Sequence, residues 1–120
     1  MRDIQQHCVP RGFCTHLLVI LLTHLFIQQG QIADDATQDI GGQTRQVLAA
    51  IDALLARAGT DKTKILMVQI YLADIKDFTL MNEVWDNWVS QGNTPPRATV
   101  QATLANPDWK IEIVATAAIL

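Results

Sequence analysis

The sequence predicts a two-layer α+β domain in which two helices cover one face of a mixed sheet. Three observations carry that prediction. Two amphipathic stretches, over 39–58 and 77–89, repeat their apolar residues with a helical period, and an almost continuous apolar run, Ile65-Leu66-Met67-Val68-Gln69-Ile70-Tyr71-Leu72, separates them. Two further stretches, 98–104 and 110–118, alternate in character with the period of a strand. With 120 residues there is room for one compact domain, and the whole chain, 1–120, reads as one.

At the amino terminus, Leu17-Leu18-Val19-Ile20-Leu21-Leu22 and Leu25-Phe26-Ile27 read as two buried strands, being rich in large aliphatic and β-branched residues. The run is broken by Thr23 and His24 and ends at Gln28-Gln29, short of the ~20 apolar residues of a membrane-spanning helix. Gln28-Gln29-Gly30-Gln31 also supplies only one of the small residues that a signal-peptide cleavage site wants. The expected location is therefore the cytoplasm, with no membrane partner. No Asn-Gly or similar pair stands between the two strands, so their turn is atypical.

Asp34, Asp35, Thr37 and Asp39 form a polar loop, with Thr37 or Asp39 able to cap the first helix. Val47, Leu48, Ile51, Leu54, Leu55 and Ala58 make its buried face, Gln43, Arg45, Gln46, Asp52 and Arg57 lie largely off it, and Gly59 stops it. The run Ile65–Leu72 is too short for a typical helix and suits a central strand covered on both faces. Asp74 or Asp77 then caps a second helix with Phe78, Met81, Val84, Trp85, Trp88 and Val89 facing inward, ending before Gly92. Pro95-Pro96 fixes two φ angles and removes two donors, which makes a rigid connector. In the last strand Ile111, Ile113, Ala115 and Ala117 share one face, with Lys110, Glu112, Val114 and Thr116 on the other. Helices on one side leave the other side of the sheet open and too apolar for water, which predicts a closed homo-oligomer.

Composition narrows the function. Nine Lys and Arg against twelve Asp and Glu give a formal charge of −3, which disfavours a nucleic-acid partner. Cys8 and Cys14 could close only a short loop and read as reduced thiols. His7, Cys8, Cys14 and His16 crowd into ten residues, but their spacing fits no common zinc pattern. Phosphate-binding glycine loops, zinc-protease motifs and nucleophile elbows are absent from the sequence. What remains is Arg97, directly after the prolines, and Glu112, set between two isoleucines. On pattern alone each is as well explained by a solvated or paired side chain.

Taken together, Gly30-Gln31-Ile32, Gln43-Thr44-Arg45-Gln46-Val47-Leu48, Ile70-Tyr71-Leu72-Ala73-Asp74, Asp77-Phe78 with Met81-Asn82, Pro95-Pro96-Arg97-Ala98-Thr99-Val100 and Lys110-Ile111-Glu112-Ile113 resemble the Rid family of enamine/imine deaminases. Its older names are YjgF/YER057c/UK114 and L-PSP endoribonuclease. The resemblance runs from about Gly30 to the carboxyl terminus. It implies a chorismate-mutase-like α+β fold and a homotrimer around a central barrel, with sites in the clefts between subunits. The implied reaction is hydrolysis of reactive 2-imino acids to 2-keto acids and ammonia, with no metal or organic cofactor, because an imine is already an activated electrophile. By this resemblance Arg97 holds the substrate carboxylate and Glu112 positions the attacking water. Gly30, Asn82 and Thr99 match positions that line the site. The family's usual serine before the Gly-Gln pair is Gln29 here, and Phe13 is the nearest counterpart of its amino-terminal tyrosine, so the substrate range does not follow from the resemblance. Two other functions stay open on the sequence: a non-catalytic trimer that binds small carboxylates or protects under stress, and RNA cleavage or translation inhibition, which the acidic balance disfavours.

Overall fold

The computed structural model describes residues 26–119. The elements are β1 (Phe26–Ile32), α1 (Ile40–Arg57), β2 (Ile65–Leu72), α2 (Phe78–Trp88), β3 (Arg97–Gln101) and β4 (Ile111–Ala118). The expected strand at 17–22, its turn, and His7, Cys8, Cys14, His16 and His24 lie outside the described residues.

The four strands form one mixed sheet in the order β1-β4-β2-β3. β4 runs antiparallel to both β1 and β2, whereas β2 and β3 are parallel. A parallel pair needs a crossover, and α2 supplies it. α1 starts where the loop predicts: the Asp39 carboxylate accepts from the Gly42 N–H at 2.8 Å. It ends at Ala58, and Gly59 follows at φ 82°, a left-handed turn that a side chain would strain. α2 begins one turn later than its first possible cap. Asp74 caps the short 3-10 turn Ile75–Asp77, and Asp77 makes no side-chain cap for α2.

One side of the sheet is the core. Val68, Ile70 and Leu72 of β2 and Ile111, Ile113, Ala115 and Ala117 of β4 pack with Val47, Leu48, Ile51 and Leu55 of α1 and Met81 and Trp85 of α2. Behind them the helices are tied: Trp88 Nε1 donates to Asp52 at 2.8 Å, and Lys62 Nζ bonds the Trp88 carbonyl while lying 5.0 Å from its ring centroid. The opposite side of the sheet has no helix among the described residues. Met67 and Val100, which register places there, are 53% and 43% exposed.

Four expectations need correction. The β2 run is not covered on both faces within one chain, since its alternate residues open onto the bare side. β3 ends at Gln101 rather than 104; Ala102 still donates to the Leu72 carbonyl at 2.9 Å, and Leu104 then turns into the core. Gln43 is not off the buried face of α1 but fully buried. Its amide donates to the carbonyls of Ala36, Gln38 and Asp108 and accepts from the Lys110 N–H, so a polar residue is buried because all its partners are backbone. Phe78 does not face inward. It is 38% exposed and stands outside the core cluster, its ring 5.8 Å from the Arg97 guanidinium carbon.

Candidate functional site

Arg97 is the first residue of β3, and the connector before it fixes where it stands. The Pro96 carbonyl accepts from the Val68 N–H at 3.0 Å, which starts the parallel ladder and sets Arg97 beside Val68 and Thr99 beside Ile70. Val68 and Ile70 belong to the core, so Arg97 and Thr99 project on the helix side of the sheet. At the other end of β3, Gln101 Oε1 accepts from the Ile75 N–H at 2.8 Å and pins the turn that leads into α2. The helix is thereby held over the edge strand.

Phe78, Asn82, Trp85 and Asp86 follow one another on α2 at i, i+4, i+7 and i+8, a single stripe. The guanidinium carbon of Arg97 lies 5.8 Å from the Phe78 ring centroid and 5.1 Å from that of Trp85. It therefore spans two turns of the helix, resting on aromatic faces that favour a planar cation. Asn82 stands between those rings on the stripe and donates to Asp86 at 3.4 Å. Burial lowers the Arg97 pKa, and the Asp86 charge acts in the opposite direction.

The polar inventory is the most informative feature. Arg97 Nη1 and Thr99 Oγ1 are both buried and have no hydrogen-bond partner among the described residues. Leaving such groups unpaired costs roughly 1–3 kcal/mol each, more for a charge. Two orphaned groups on one face of one short strand fit a small ligand with oxygen acceptors, and a carboxylate matches the fork of the guanidinium.

Glu112 and Gly30 lie elsewhere. Register sets Glu112 between Ile32 of β1 and Tyr71 of β2, and Gly30 opposite Val114. These positions alternate with the core residues Ile111 and Ile113, so Glu112 and Gly30 share the other side of the sheet as diagonal neighbours. Both are buried. The five residues singled out from the sequence thus form two groups: Arg97, Thr99 and Asn82 on the helix side, Glu112 and Gly30 on the opposite side. Sequence reasoning assigned Phe78 and Trp85 to the core and missed them as a platform for Arg97. The signal was there, as aromatics sharing the Asn82 stripe. Among the described residues no group of three His, Cys, Asp or Glu side chains could hold a metal ion, and no helix is long and apolar enough to cross a membrane.

The family model described as Endoribonuclease L-PSP matches residues 16–119. A RutC family protein of Haemophilus ducreyi is 54% identical over 90 residues, 75% of this chain and 77% of that protein. The 2-iminobutanoate/2-iminopropanoate deaminase of Rattus norvegicus is 29% identical over 114 residues, 90% of this chain and 82% of its own length. Among solved structures, a member of the YjgF protein family from Neisseria meningitidis superposes with a TM-score of 0.78 at 43% identity, covering 81% of this chain and 82% of that one.

Proposed function

Since the chain belongs to the Endoribonuclease L-PSP family, which takes in the RutC and YjgF proteins, we propose that it hydrolyses 2-imino or enamino acids to 2-keto acids and ammonia at sites shared between copies of a homotrimer. The observation that carries this reading is the buried, unpaired Nη1 of Arg97 on the same face of β3 as the unpaired Thr99 hydroxyl. The deaminase name of the rat relative supports the choice of reaction.

Arg97 binds the substrate carboxylate through two parallel hydrogen bonds, and the rings of Phe78 and Trp85 hold its plane. Glu112 accepts a proton from water as the water oxygen bonds to the imine carbon, and gives that proton to the nitrogen. The resulting carbinolamine passes its hydroxyl proton to the nitrogen by way of Glu112 as the C–N bond breaks, which releases ammonia and leaves the keto group. Because Glu112 and Arg97 project from opposite sides of one sheet, the Glu112 that serves a given Arg97 belongs to a neighbouring copy, with Gly30 beside it. The exposed Met67 and Val100 support association through the open side of the sheet.

A coupled assay tests the reaction. An amino-acid oxidase generates imines from a set of amino acids, and semicarbazide traps whatever is not hydrolysed. Wild-type protein lowers the trapped product and Arg97→Ala does not; equal trapping with both, for every amino acid, overturns the reading. The same orphaned groups also favour a trimer that only binds small carboxylates. Glu112→Gln separates the two, since a hydrolase loses rate while keeping carboxylate affinity, whereas a pure binder has no rate to lose and keeps its affinity.

A further inference from the structure

We propose that Asp86 sets the charge selectivity of the Arg97 site, admitting 2-imino acids with one carboxylate and an apolar side chain and turning away those with a second carboxylate. This rests on the imine-hydrolase reading and goes beyond it, to the substrate class. Asp86 follows Asn82 by one helical turn on the stripe that faces Arg97, and it is exposed while Asn82 donates to it at 3.4 Å. That bond ties the carboxylate to Asn82, one turn earlier on the stripe whose aromatic rings flank the guanidinium. Its charge reaches Arg97, as the opposing influence on that arginine's pKa records.

Along the α2 stripe the exposed groups that accompany Arg97 are an aromatic ring, Phe78, and a carboxylate, Asp86. Phe78 is 38% exposed, and Ile75, three residues earlier in the turn pinned by Gln101, is 47% exposed. A monocarboxylate bound at Arg97 satisfies the guanidinium and can lay an aliphatic or aromatic side chain on Phe78 and Ile75. Against an acidic side chain the same surface offers no second cation on the stripe and one carboxylate, Asp86. Two like charges within a few ångströms at a half-exposed site discriminate by about tenfold or more at low salt, and less as salt screens them.

The test uses 2-keto acids, the stable products, as probes in calorimetry with wild-type, Asp86→Asn and Arg97→Ala proteins. The monocarboxylate probe is 4-methyl-2-oxopentanoate and the dicarboxylate probe is 2-oxoglutarate. The readout is the ratio of their dissociation constants, from which any general weakening of the site cancels. Wild type is expected to favour the monocarboxylate by at least about tenfold at low salt, and Asp86→Asn to reduce that ratio at least about threefold. An unchanged ratio in Asp86→Asn, or a wild type that binds both probes equally, overturns the role of Asp86 while Arg97-dependent monocarboxylate binding leaves the hydrolase reading standing. No Arg97-dependent binding of the monocarboxylate overturns both. Imines made from leucine and from glutamate in the trapping assay must rank in the same order, and a reversed order counts against the proposal.

Discussion

Arg97 and Glu112 stand on opposite sides of one sheet, separated by β2: Arg97 pairs with Val68, which faces the core, and Glu112 pairs with Tyr71, which does not. No rotamer change moves either side chain through the sheet. On the proposed reading a site that uses both groups takes them from two copies, which gives a sharp prediction. Arg97→Ala and Glu112→Gln proteins are each inactive alone. Mixed, unfolded and refolded together at equal amounts, they recover about a quarter of the wild-type sites, because random assembly pairs an intact arginine with an intact neighbouring glutamate at that frequency. Activity of the mixture no greater than the sum of its parts would show that each site draws both groups from one copy.

Thr99 offers a second prediction in which stability and binding move in different directions. Its hydroxyl is buried and unpaired among the described residues, so Thr99→Val removes an unsatisfied polar group at nearly constant volume. Without ligand the melting temperature is expected to stay level or rise. Affinity for a 2-keto acid falls by roughly threefold to tenfold, the worth of one hydrogen bond. A drop in melting temperature with unchanged affinity would mean that the hydroxyl serves the fold instead.

Most of the layer arrangement was legible in the sequence, because the elements carry strong local signals. The Asp39 cap, the Gly59 stop, the apolar run of β2 and the alternation of β4 each announce themselves within a few residues. What could not be read is what depends on partners distant in sequence. Gln43 is in helical phase with Val47, Ile51 and Leu54 but polar, which points to the surface, and only the backbone of residues 36–38 and 108–110 makes its burial favourable. Phe78 looks like core because it is aromatic and in phase with Met81 and Trp85, yet it is partly exposed and its ring lies beside the Arg97 guanidinium. Arg97 and Glu112 were legible as residues and not as an arrangement, since the side of a sheet on which each falls is set by strand register.

Acid should weaken the fold through two exposed loops. Asp35 accepts from the Thr37 hydroxyl and N–H and from Gln38, and Asp61 from the Thr63 hydroxyl and N–H, and these bonds hold both carboxyl groups below their ordinary pKa. A group whose folded pKa is depressed adds stability that is fully present above the unfolded value, near pH 4, and is lost as the pH falls through the lower folded value. Denaturant midpoints are expected to decline over that window, and Asp35→Asn with Asp61→Asn to flatten the decline. An identical slope in the double variant would assign the acid sensitivity to other groups.

Gln43 links the stability of the fold to the placement of Glu112. Its carbonyl accepts from the Lys110 N–H at 2.9 Å and its amide reaches the Asp108 carbonyl at 3.1 Å, so it fastens the residues that lead directly into β4. Two further bonds, to the carbonyls of Ala36 and Gln38, fasten the loop between β1 and α1 to the same point. Gln43→Leu keeps the volume and orphans all four backbone groups, which is expected to cost about 2–4 kcal/mol in denaturant unfolding. Gln43→Glu keeps an acceptor for Lys110 but sets a buried carboxylate against three carbonyls, and should be at least as destabilising at neutral pH. In the fraction that remains folded, turnover should fall more than 2-keto acid affinity, because the tether acts on the strand that carries Glu112 and not on Arg97. Equal losses in turnover and affinity would indicate that Gln43 supports the whole domain without favouring either side of the sheet.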